Sequence, residues 1–441
     1  MQQPNGSAGT TLRRAVPRWQ LQLIAMNGVV GSGIYLLPAS VTGLLGDAAL
    51  WGILLAGLAM SLIVLCYAEA SSYFDRPGAA YLYAREAFGD FIGFEVGWMT
   101  WLTRLASAAA LVNGLALALV PLWPSAGEGW GRALVVTVSL VFFTGLNIVG
   151  VRAAATTSAL MMIGKLLPLL FFIVVGMAFA DNVSVMSTDG VDGSRLGEAA
   201  LLLLFAYAGF ENLPAAAGEY RNPRRDLPVA LVSMIVTVTL IYALVQIVAQ
   251  GLLPDLPSSS APLADAATVF AGAVGLLLLS IGALISIIGT TGDTILFGPR
   301  YLQAMAADGY GPALFARVHP RFRTPAWAVL LVGAASLALA LSGSFVQLAL
   351  LSVISRLLTY LATAASVLAL RRRYPANAAR FRLPGGPLLP LLAILVSLGL
   401  LAAATWMHLL AAGAALLIGV VIFALRQPPR DAGVEAVEQD S

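Results

Sequence analysis

Long apolar runs separated by short polar segments are the main pattern along this chain. An α-helix needs ~20 predominantly apolar residues to cross a bilayer, and about twelve of the runs meet that requirement. The third and eighth runs are longer than one crossing needs, which predicts tilt or helix that continues beyond the bilayer. The predicted spans are 17–44, 48–74, 88–121, 130–150, 156–180, 196–218, 227–251, 264–305, 325–342, 345–370, 385–405 and 407–425.

This pattern predicts an all-α integral membrane protein with twelve transmembrane helices. The polar lead-in 1–16 lacks the apolar core and small-residue cleavage site of a signal peptide, so the first span is expected to be retained. The polar, acidic tail 426–441 is expected to be disordered. Between the tails, spans 1–5 occupy 17–180, spans 6–10 occupy 181–370 and spans 11–12 occupy 371–425.

The positions of the arginines predict the orientation of the chain. With an even number of spans both termini lie on one side, and most loop arginines fall on that side. The opposite loops hold only Arg132 and Arg195, together with an acidic stretch that runs from Asp181 to Asp192. Because loops rich in arginine stay in the cytoplasm, both termini are expected there, in a multi-pass protein of the cell (plasma or inner) membrane.

Composition agrees with a lipid environment and argues against several classes of protein. Hydrophobic residues make up 59% of the chain and charged residues 11%, whereas a soluble domain carries about 25% charged residues. The net charge of +3 and the dispersed basic residues do not indicate a nucleic-acid partner. A single cysteine, Cys66, and two remote histidines, His319 and His408, offer almost nothing to a metal site or an enzyme nucleophile. No cofactor is expected.

The first span contains a segment that is poorly suited to helix. Residues 28–34 read GVVGSGI, and Pro38 follows. Each glycine weakens a helix by about 1 kcal/mol relative to alanine, and a proline removes a backbone donor. Freed backbone groups are tolerated at membrane depth only where protein, water or ligand satisfies them. The segment is therefore a candidate binding element.

The sixth span carries a second candidate break. Residues 205–212 read FAYAGFEN, with Pro214 just beyond. A carboxylic acid such as Glu211 at membrane depth is costly and by default indicates a functional site. Two interrupted helices, each the first of five, indicate an inverted repeat of spans 1–5 and 6–10 with a substrate site between them.

The backbone chemistry of such breaks suits a zwitterion. One half-helix exposes N–H groups for a carboxylate, and the other exposes carbonyl oxygens for an ammonium or a metal cation. A free α-amino acid carries both charges on one carbon. The alternative is that the Gly-Ser-Gly sequence merely lets helices pack closely, as small residues do elsewhere in membranes.

Motifs in a fixed order extend this interpretation over nearly the whole chain. They are GSGIY at 31–35 with Pro38, YAE at 67–69 leading to PGAAYLY at 77–83, GKL at 164–166, GFE at 209–211 with NPRR at 222–225, and AMAADG at 304–309 with TP at 324–325. These segments resemble the amino acid–polyamine–organocation (APC) superfamily of LeuT-type transporters, especially bacterial amino acid permeases and the arginine/agmatine antiporter. Family members often have two glycines where this chain has Ala79 and Ala80.

The resemblance implies a LeuT-type fold with a 5+5 inverted repeat, broken helices 1 and 6, and two additional C-terminal helices. It also implies a set of substrate-binding residues: Val29, Gly31, Ser32, Gly33, Ile34, Phe205, Ala206, Ala208 and Gly209. The substrate carboxylate is expected at Ser32 and the Gly33 N–H, and the amino group at the carbonyls of Val29, Phe205 and Ala208. Phe205 matches an aromatic gate, although without the motif it would be read as a packing or lipid-facing residue.

Lys165 and Glu211 are the candidate coupling residues. Lys165 is the only lysine in the chain and lies inside the fifth span. A lysine at the matching position in several relatives replaces a sodium ion, which implies a sodium-independent carrier in which Lys165 contacts carbonyls near Gly28. The amine could carry a proton or act as a static tether, because buried lysines can lose their charge. Glu211 is either a second proton carrier or a carboxylate that caps a helix. Glu69 is expected to pair with cytoplasmic arginines.

Three further charges lie within apolar stretches, namely Arg104, Asp293 and Arg356. Unpaired charges at membrane depth are costly, so each requires a partner. One interpretation pairs Arg104 or Arg356 with Asp293 or Glu95. The other is that one arginine reads a polar or acidic substrate side chain, since the resemblance places these spans around that side chain. Two embedded arginines argue against a cationic substrate.

These observations predict a carrier of small or neutral amino acids that works by alternating access, as a monomer or a homodimer in the lipid bilayer. Coupling is either to a proton or to exchange of a second amino acid or amine. A membrane enzyme, a channel, and a receptor or scaffold that binds without transport remain as alternatives from other classes.

Overall fold

A computed structural model describes residues 16–75, 78–149, 154–180, 193–322, 324–375 and 377–425. Over these residues the chain is helical, apart from turns and one isolated bridge between Val16 and Tyr220. The predictions for the tails, and for the acidic stretch that ends at Asp192, fall almost entirely outside the described residues.

The described residues form fourteen α-helices. They are α1 Arg18–Val29, α2 Ser32–Leu45, α3 Ala49–Tyr73, α4 Ala79–Phe88, α5 Asp90–Leu119, α6 Gly129–Val149, α7 Ala154–Gly176, α8 Gly193–Tyr207, α9 Pro223–Leu252, α10 Pro262–Ala307, α11 Ala326–Ser342, α12 Phe345–Arg373, α13 Leu388–Ala402 and α14 Trp406–Ala424. Short 3-10 helices lie between some of them, the longest being Phe210–Glu219.

Several helices are long and apolar enough to cross a membrane. Seven helical stretches among the described residues meet that description, and three shorter apolar helices accompany them. Large apolar side chains face outward along these helices, for example Phe142 on α6 and Leu417 on α14, which are 62% and 68% exposed. An apolar exterior of this kind is the surface that lipid covers. The number of crossings stays a prediction at twelve.

The eighth predicted span is bent rather than straight. Helix α10 runs for 46 residues, but Gly272 within it has φ 55° and ψ −142°, which is not helical. A positive φ is accessible to glycine because it has no Cβ. The helix therefore changes direction near its N-terminal end, so its 46 residues do not form one straight helix.

Helix α4 lies between the second and third spans and was not predicted. Gly78 and Gly89, both with positive φ, bound it at its two ends. On α4, Tyr81 donates a hydrogen bond to Asp308, and burial followed by this bond raises the pKa of Tyr81. Arg85 pairs with Asp90 at 2.7 Å, and that bond raises the pKa of Arg85. Both groups therefore keep their ordinary protonation near neutral pH.

A buried ion pair joins α3 to α12 at the end of the molecule that is predicted to be cytoplasmic. Arg371 binds Glu69 through two nitrogens, at 2.6 and 2.5 Å, and the backbone N–H of Leu383 also donates to Glu69. Glu69 is completely buried. The prediction that Glu69 pairs with an arginine is confirmed.

Candidate substrate site

The first break lies within the glycine-rich segment of the first span. Helix α1 ends at Val29, two non-helical residues follow, and α2 begins at Ser32 without a side-chain cap. The first N–H groups of a helix have no intrahelical partner, so those at the start of α2 are available to an acceptor. A helix N-terminus also carries partial positive charge, which suits a carboxylate.

The second break lies where the sixth span was expected to be interrupted. Helix α8 ends at Tyr207, and the chain continues through Gly209, with φ 120°, into the 3-10 helix Phe210–Glu219. A Cβ at Gly209 would lie 2.0 Å from the carbonyl oxygen of Gly28. The backbones of the two breaks are therefore in direct contact, and only a residue without a side chain permits this approach.

A cavity of about 70 Å³ lies beside both breaks. The predicted site residues that line it are Val29, Gly31, Ser32, Gly33, Phe205, Ala208, Gly209, Arg104, Asp293 and Arg356. The hydroxyl of Ser32 is buried and has no hydrogen-bond partner among the residues that the structure describes. Four other predicted residues do not line the cavity: Ile34, Ala206, Lys165 and Glu211.

Ala206 has a packing role beside the cavity. A Cβ at Gly33 would lie 2.7 Å from the Ala206 Cα, so α2 and α8 approach closely at this point. Tyr242 of α9 donates to the carbonyls of Ala206 and Val29 through one hydroxyl, at 2.9 and 3.2 Å. The carbonyl of Val29, which is expected to accept the substrate amino group, thus has one acceptor position already in use.

Phe205 lies at the wall of the cavity and not at the lipid surface. Its ring meets that of Phe345 of α12 edge to face, with centroids 5.7 Å apart. The side chain is 8% exposed. A ring that covers the cavity and packs on another helix is in a position suited to a gate, and the gating role itself stays a prediction.

Lys165 of α7 binds the end of α1. Its ammonium donates to the carbonyls of Asn27 at 3.2 Å and Val30 at 2.6 Å, on either side of Gly28. The side chain is fully buried. These carbonyls belong to the negative end of α1, where a cation is favoured. The contact lies where the resemblance implied it, and the role of Lys165 in coupling stays a prediction.

Asp293 of α10 is close to the same end of α1. Its carboxylate accepts a hydrogen bond of 3.1 Å from the side-chain amide of Asn27. Asn27 thus contacts Asp293 through its amide and Lys165 through its backbone carbonyl. Ser286, about two helical turns before Asp293 on α10, donates to the carbonyls of Val30 and Gly31. The unwound backbone is therefore held by α7 and α10 together.

Glu211 is the centre of a buried ion-pair network. Its carboxylate lies 3.0 Å from Arg104 of α5 and 2.9 Å from Arg356 of α12. It also accepts from the hydroxyl of Tyr360 and from the backbone N–H of Gly209. Two guanidinium groups and two further donors stabilise the ionised form of Glu211.

The predicted pairing of Arg104 or Arg356 with Asp293 or Glu95 is wrong. Both arginines pair with Glu211, because α5 and α12 pack together and face the second break. Glu95 is buried, and its carboxylate oxygens have no hydrogen-bond partner within the described part of the chain. It lies against Gly419 of α14 instead.

Several residues of the site were missed by the sequence analysis. They are polar side chains on otherwise apolar helices: Asn27, Ser107, Tyr242, Ser286 and Tyr360. Each of them hydrogen-bonds a residue of the site. Their burial within membrane-spanning runs was a usable signal, because hydrocarbon offers polar groups no partner.

Residues 17–430 match the family described as amino acid permease. The chain belongs to this family. It is 29% identical to the serine/threonine exchanger SteT of Bacillus subtilis over 90% of this chain and 92% of that protein. It is 28% identical to the branched-chain amino acid permease BcaP of the same organism, over 95% and 94%. The methylthioribose transporter of Bacillus subtilis is also 28% identical, over 88% and 87%.

Family membership fixes the general class of the protein. It is a multi-pass membrane transporter of the APC superfamily for amino acids, and not an enzyme. The names of the relatives cover hydroxylated, branched and sulfur-containing substrates. The permease family therefore identifies the transport class but does not select one substrate.

Proposed function

We propose that this permease carries small or neutral α-amino acids across the cell membrane by alternating access, without sodium. The observation that carries the proposal is the contact between the two breaks beside one cavity. The free N–H groups at the start of α2 and the unpartnered Ser32 hydroxyl suit a carboxylate. The carbonyl groups of the breaks suit the amino group on the same carbon.

Packing between helices supports the inverted repeat that alternating access would use. In that repeat, span 2 corresponds to span 7, span 3 to span 8 and span 4 to span 9. The helices of these pairs contact each other: α3 with α9, α5 with α10, and α6 with α11. Helix α2, which follows the first break, also packs against α8, which precedes the second break. Contacts between counterparts are expected around a pseudo-two-fold axis.

The size and charge of the site support small or neutral substrates. A cavity of about 70 Å³ leaves little room for a long side chain. The serine/threonine and branched-chain relatives also have neutral amino acids in their names. Vacuolar cationic amino acid transporter 2 of Arabidopsis thaliana is 30% identical but is matched over only 61% of its length. The arginines at the cavity oppose a cationic side chain.

Lys165 is the better candidate for proton coupling. Its ammonium occupies a place where a cation is stabilised by carbonyls of α1, and its charge can be lost on deprotonation. Glu211, the other candidate, is paired with two arginines, which oppose its protonation. Exchange of one amino acid or amine for another is the alternative, and the exchanger among the relatives favours it.

The main test is uptake of radiolabelled amino acids into proteoliposomes. Ser32→Leu is expected to abolish uptake, because the side chain would fill the carboxylate site, while the protein still folds. Ser342→Leu is the matched control, since Ser342 is exposed at the end of α11 and donates only to Leu339 of its own helix. Uptake by Ser32→Leu at the wild-type rate would contradict the proposal.

A second test separates the coupling modes. Uptake into empty vesicles that is driven by external acid and collapsed by a protonophore supports a proton symporter. Uptake that needs internal amino acid and ignores the pH gradient supports exchange. Replacing sodium by choline is expected to leave the rate of uptake unchanged in both cases. Lys165→Gln is expected to flatten the pH dependence of a symporter, and an unchanged pH profile would make Lys165 a static tether.

A further inference from the structure

Two buried donors, on residues that line the cavity, have no acceptor among the described residues. Arg104 and Arg356 line the cavity and are 1% and 3% exposed. Within the part of the chain that the structure describes, the Nε of Arg104 and one terminal nitrogen, Nη1, of Arg356 lack a hydrogen-bond partner. Almost all buried N–H groups in proteins are paired. An unsatisfied pair of charged donors at a substrate cavity indicates a ligand that supplies the acceptor.

The charges around the cavity support the same conclusion. Two guanidinium groups share the single carboxylate of Glu211. Lys165 and Asp293 are the other two buried charges nearby, and both contact Asn27. Three potential cations thus face two carboxylates. A surplus of positive charge in a buried site is costly, and an electron-rich group on the substrate reduces that cost.

The positive donors and the groups assigned to the amino acid backbone of the substrate belong to different helices around the same cavity. Ser32 and the N-terminus of α2 belong to the first break, whereas Arg104 is on α5 and Arg356 on α12. Apolar residues such as Leu111 and Phe297 complete the cavity wall. A small substrate held at the breaks would direct its side chain toward the arginines.

We propose that Arg104 and Arg356 form a side-chain subsite that selects small amino acids with an oxygen acceptor in the side chain. The inference rests on the proposed amino acid carrier. A hydroxyl, amide or carboxylate oxygen accepts from the free N–H groups, whereas an apolar isostere leaves them unpaired in the occupied cavity. A site built to bond a polar group rejects the analogue that lacks it. The two arginines therefore act as specificity-determining residues.

The experiment compares amino acids of equal shape on the purified, full-length protein. Thermal stabilisation is titrated with threonine against valine and with asparagine against leucine, because a ligand of the folded state raises the melting temperature. The polar amino acid of each pair is expected to half-saturate the protein at a concentration at least about tenfold lower than the apolar amino acid does. Aspartate, measured beside asparagine, tells whether a charged or a neutral oxygen fits better.

Variants of the two arginines test whether these residues cause the preference for polar side chains. Arg104→Lys keeps a positive charge near Glu211 but removes Nε, and it is expected to bring the threonine-to-valine ratio close to one. Arg132→Lys is the control, because Arg132 binds Asn113 and the carbonyls of Ala340 and Gly343, none of which lines the cavity. If Arg104→Lys does not fold, Arg356→Lys is measured instead. If neither variant folds, the titrations of the wild-type protein alone test the preference for polar side chains.

The outcomes separate the two proposals. Equal half-saturation by threonine and valine, and by asparagine and leucine, overturns the subsite and leaves the amino acid carrier standing. Stabilisation by none of these amino acids, together with no uptake of any, overturns the carrier itself. A preference for threonine that Arg104→Lys and Arg356→Lys both retain also overturns the role of the arginines.

Discussion

Glu211 joins three elements through one carboxylate. It binds Arg104 of α5 and Arg356 of α12 and accepts from the N–H of Gly209 at the second break. Removing one member of a buried ion pair is costly, because the remaining charge loses its compensation. Here the loss of one carboxylate would leave two guanidinium groups uncompensated. Glu211 is therefore expected to be essential for stability as well as for the shape of the break.

Glu211→Gln is expected to lower the stability by about 3–5 kcal/mol, the usual cost of leaving a buried charge unpaired. The measurement is thermal unfolding of the purified protein in detergent. Glu95→Gln is the matched control, since Glu95 is also a buried carboxylate but has no hydrogen-bond partner to lose. Its variant should melt at or above the wild-type temperature. If Glu211→Gln and the wild type had the same melting temperature, the proposed stabilising role of the ion-pair network would be contradicted.

For individual residues, the sequence identified the buried charged side chains more successfully than it identified their partners. Lys165, Glu211 and the two arginines stood out because charges inside apolar runs are costly. Their pairing depends on which helix faces which, and Glu211 is 107 residues from Arg104 and 145 from Arg356. No local pattern encodes that orientation, so the sequence alone favours Asp293 or Glu95 as a partner.

Among the structural elements, the two broken helices depend on each other. Gly209 lies against the carbonyl of Gly28, and α2 and α8 approach closely at Gly33 and Ala206. A side chain at Gly209 would separate the breaks and change the cavity between them. The broken helices are therefore expected to tolerate almost no increase in volume at their contact.

Gly209→Ala is expected to abolish uptake and to lower the melting temperature strongly. The backbone has φ 120°, and a non-glycine residue in such a region costs of order 1–3 kcal/mol, to which the clash with Gly28 is added. Gly46→Ala controls for the backbone effect, because Gly46 has φ 54° and no neighbour within 4 Å of its Cβ position. Gly46→Ala should keep near-normal uptake. Similar losses in both variants would argue against the close contact.

The sequence predicted the long helices and both breaks, but not α4 or the bend at Gly272. Hydropathy marks apolar runs and a cluster of glycines marks a break, so these signals are local. Helix α4 is short and amphipathic, and its N-terminal residues carry no capping side chain. Gly272 lies among apolar residues beside Gly275, which stays helical. Only packing distinguishes the two glycines, and packing is absent from a single sequence.

For the whole molecule, the predicted orientation in the membrane can be tested directly. The arginine distribution predicts cytoplasmic termini, which would place the turn at Ser260 outside the cell and the loop at Asn377 inside. Both positions are exposed. The single native cysteine, Cys66, is buried, so an introduced cysteine is the principal target for a thiol reagent.

Ser260→Cys is expected to react with a membrane-impermeant maleimide in intact cells. Asn377→Cys is expected to react only after the cells are permeabilised, because the reagent must reach the cytoplasmic side. Wild-type protein, with its buried Cys66, is the control for background labelling. The reverse pattern, with Asn377→Cys labelled first, would invert the proposed topology.

The double attachment of Asn27 has a mechanical consequence. Its carbonyl is tied to Lys165 on α7, while its amide is tied to Asp293 on α10. A movement of α1 away from only one of these helices would break one tie and leave the other in place. Full displacement of α1 therefore requires the loss of both hydrogen bonds of Asn27. Asn27 should accordingly restrain this half-helix in its present position.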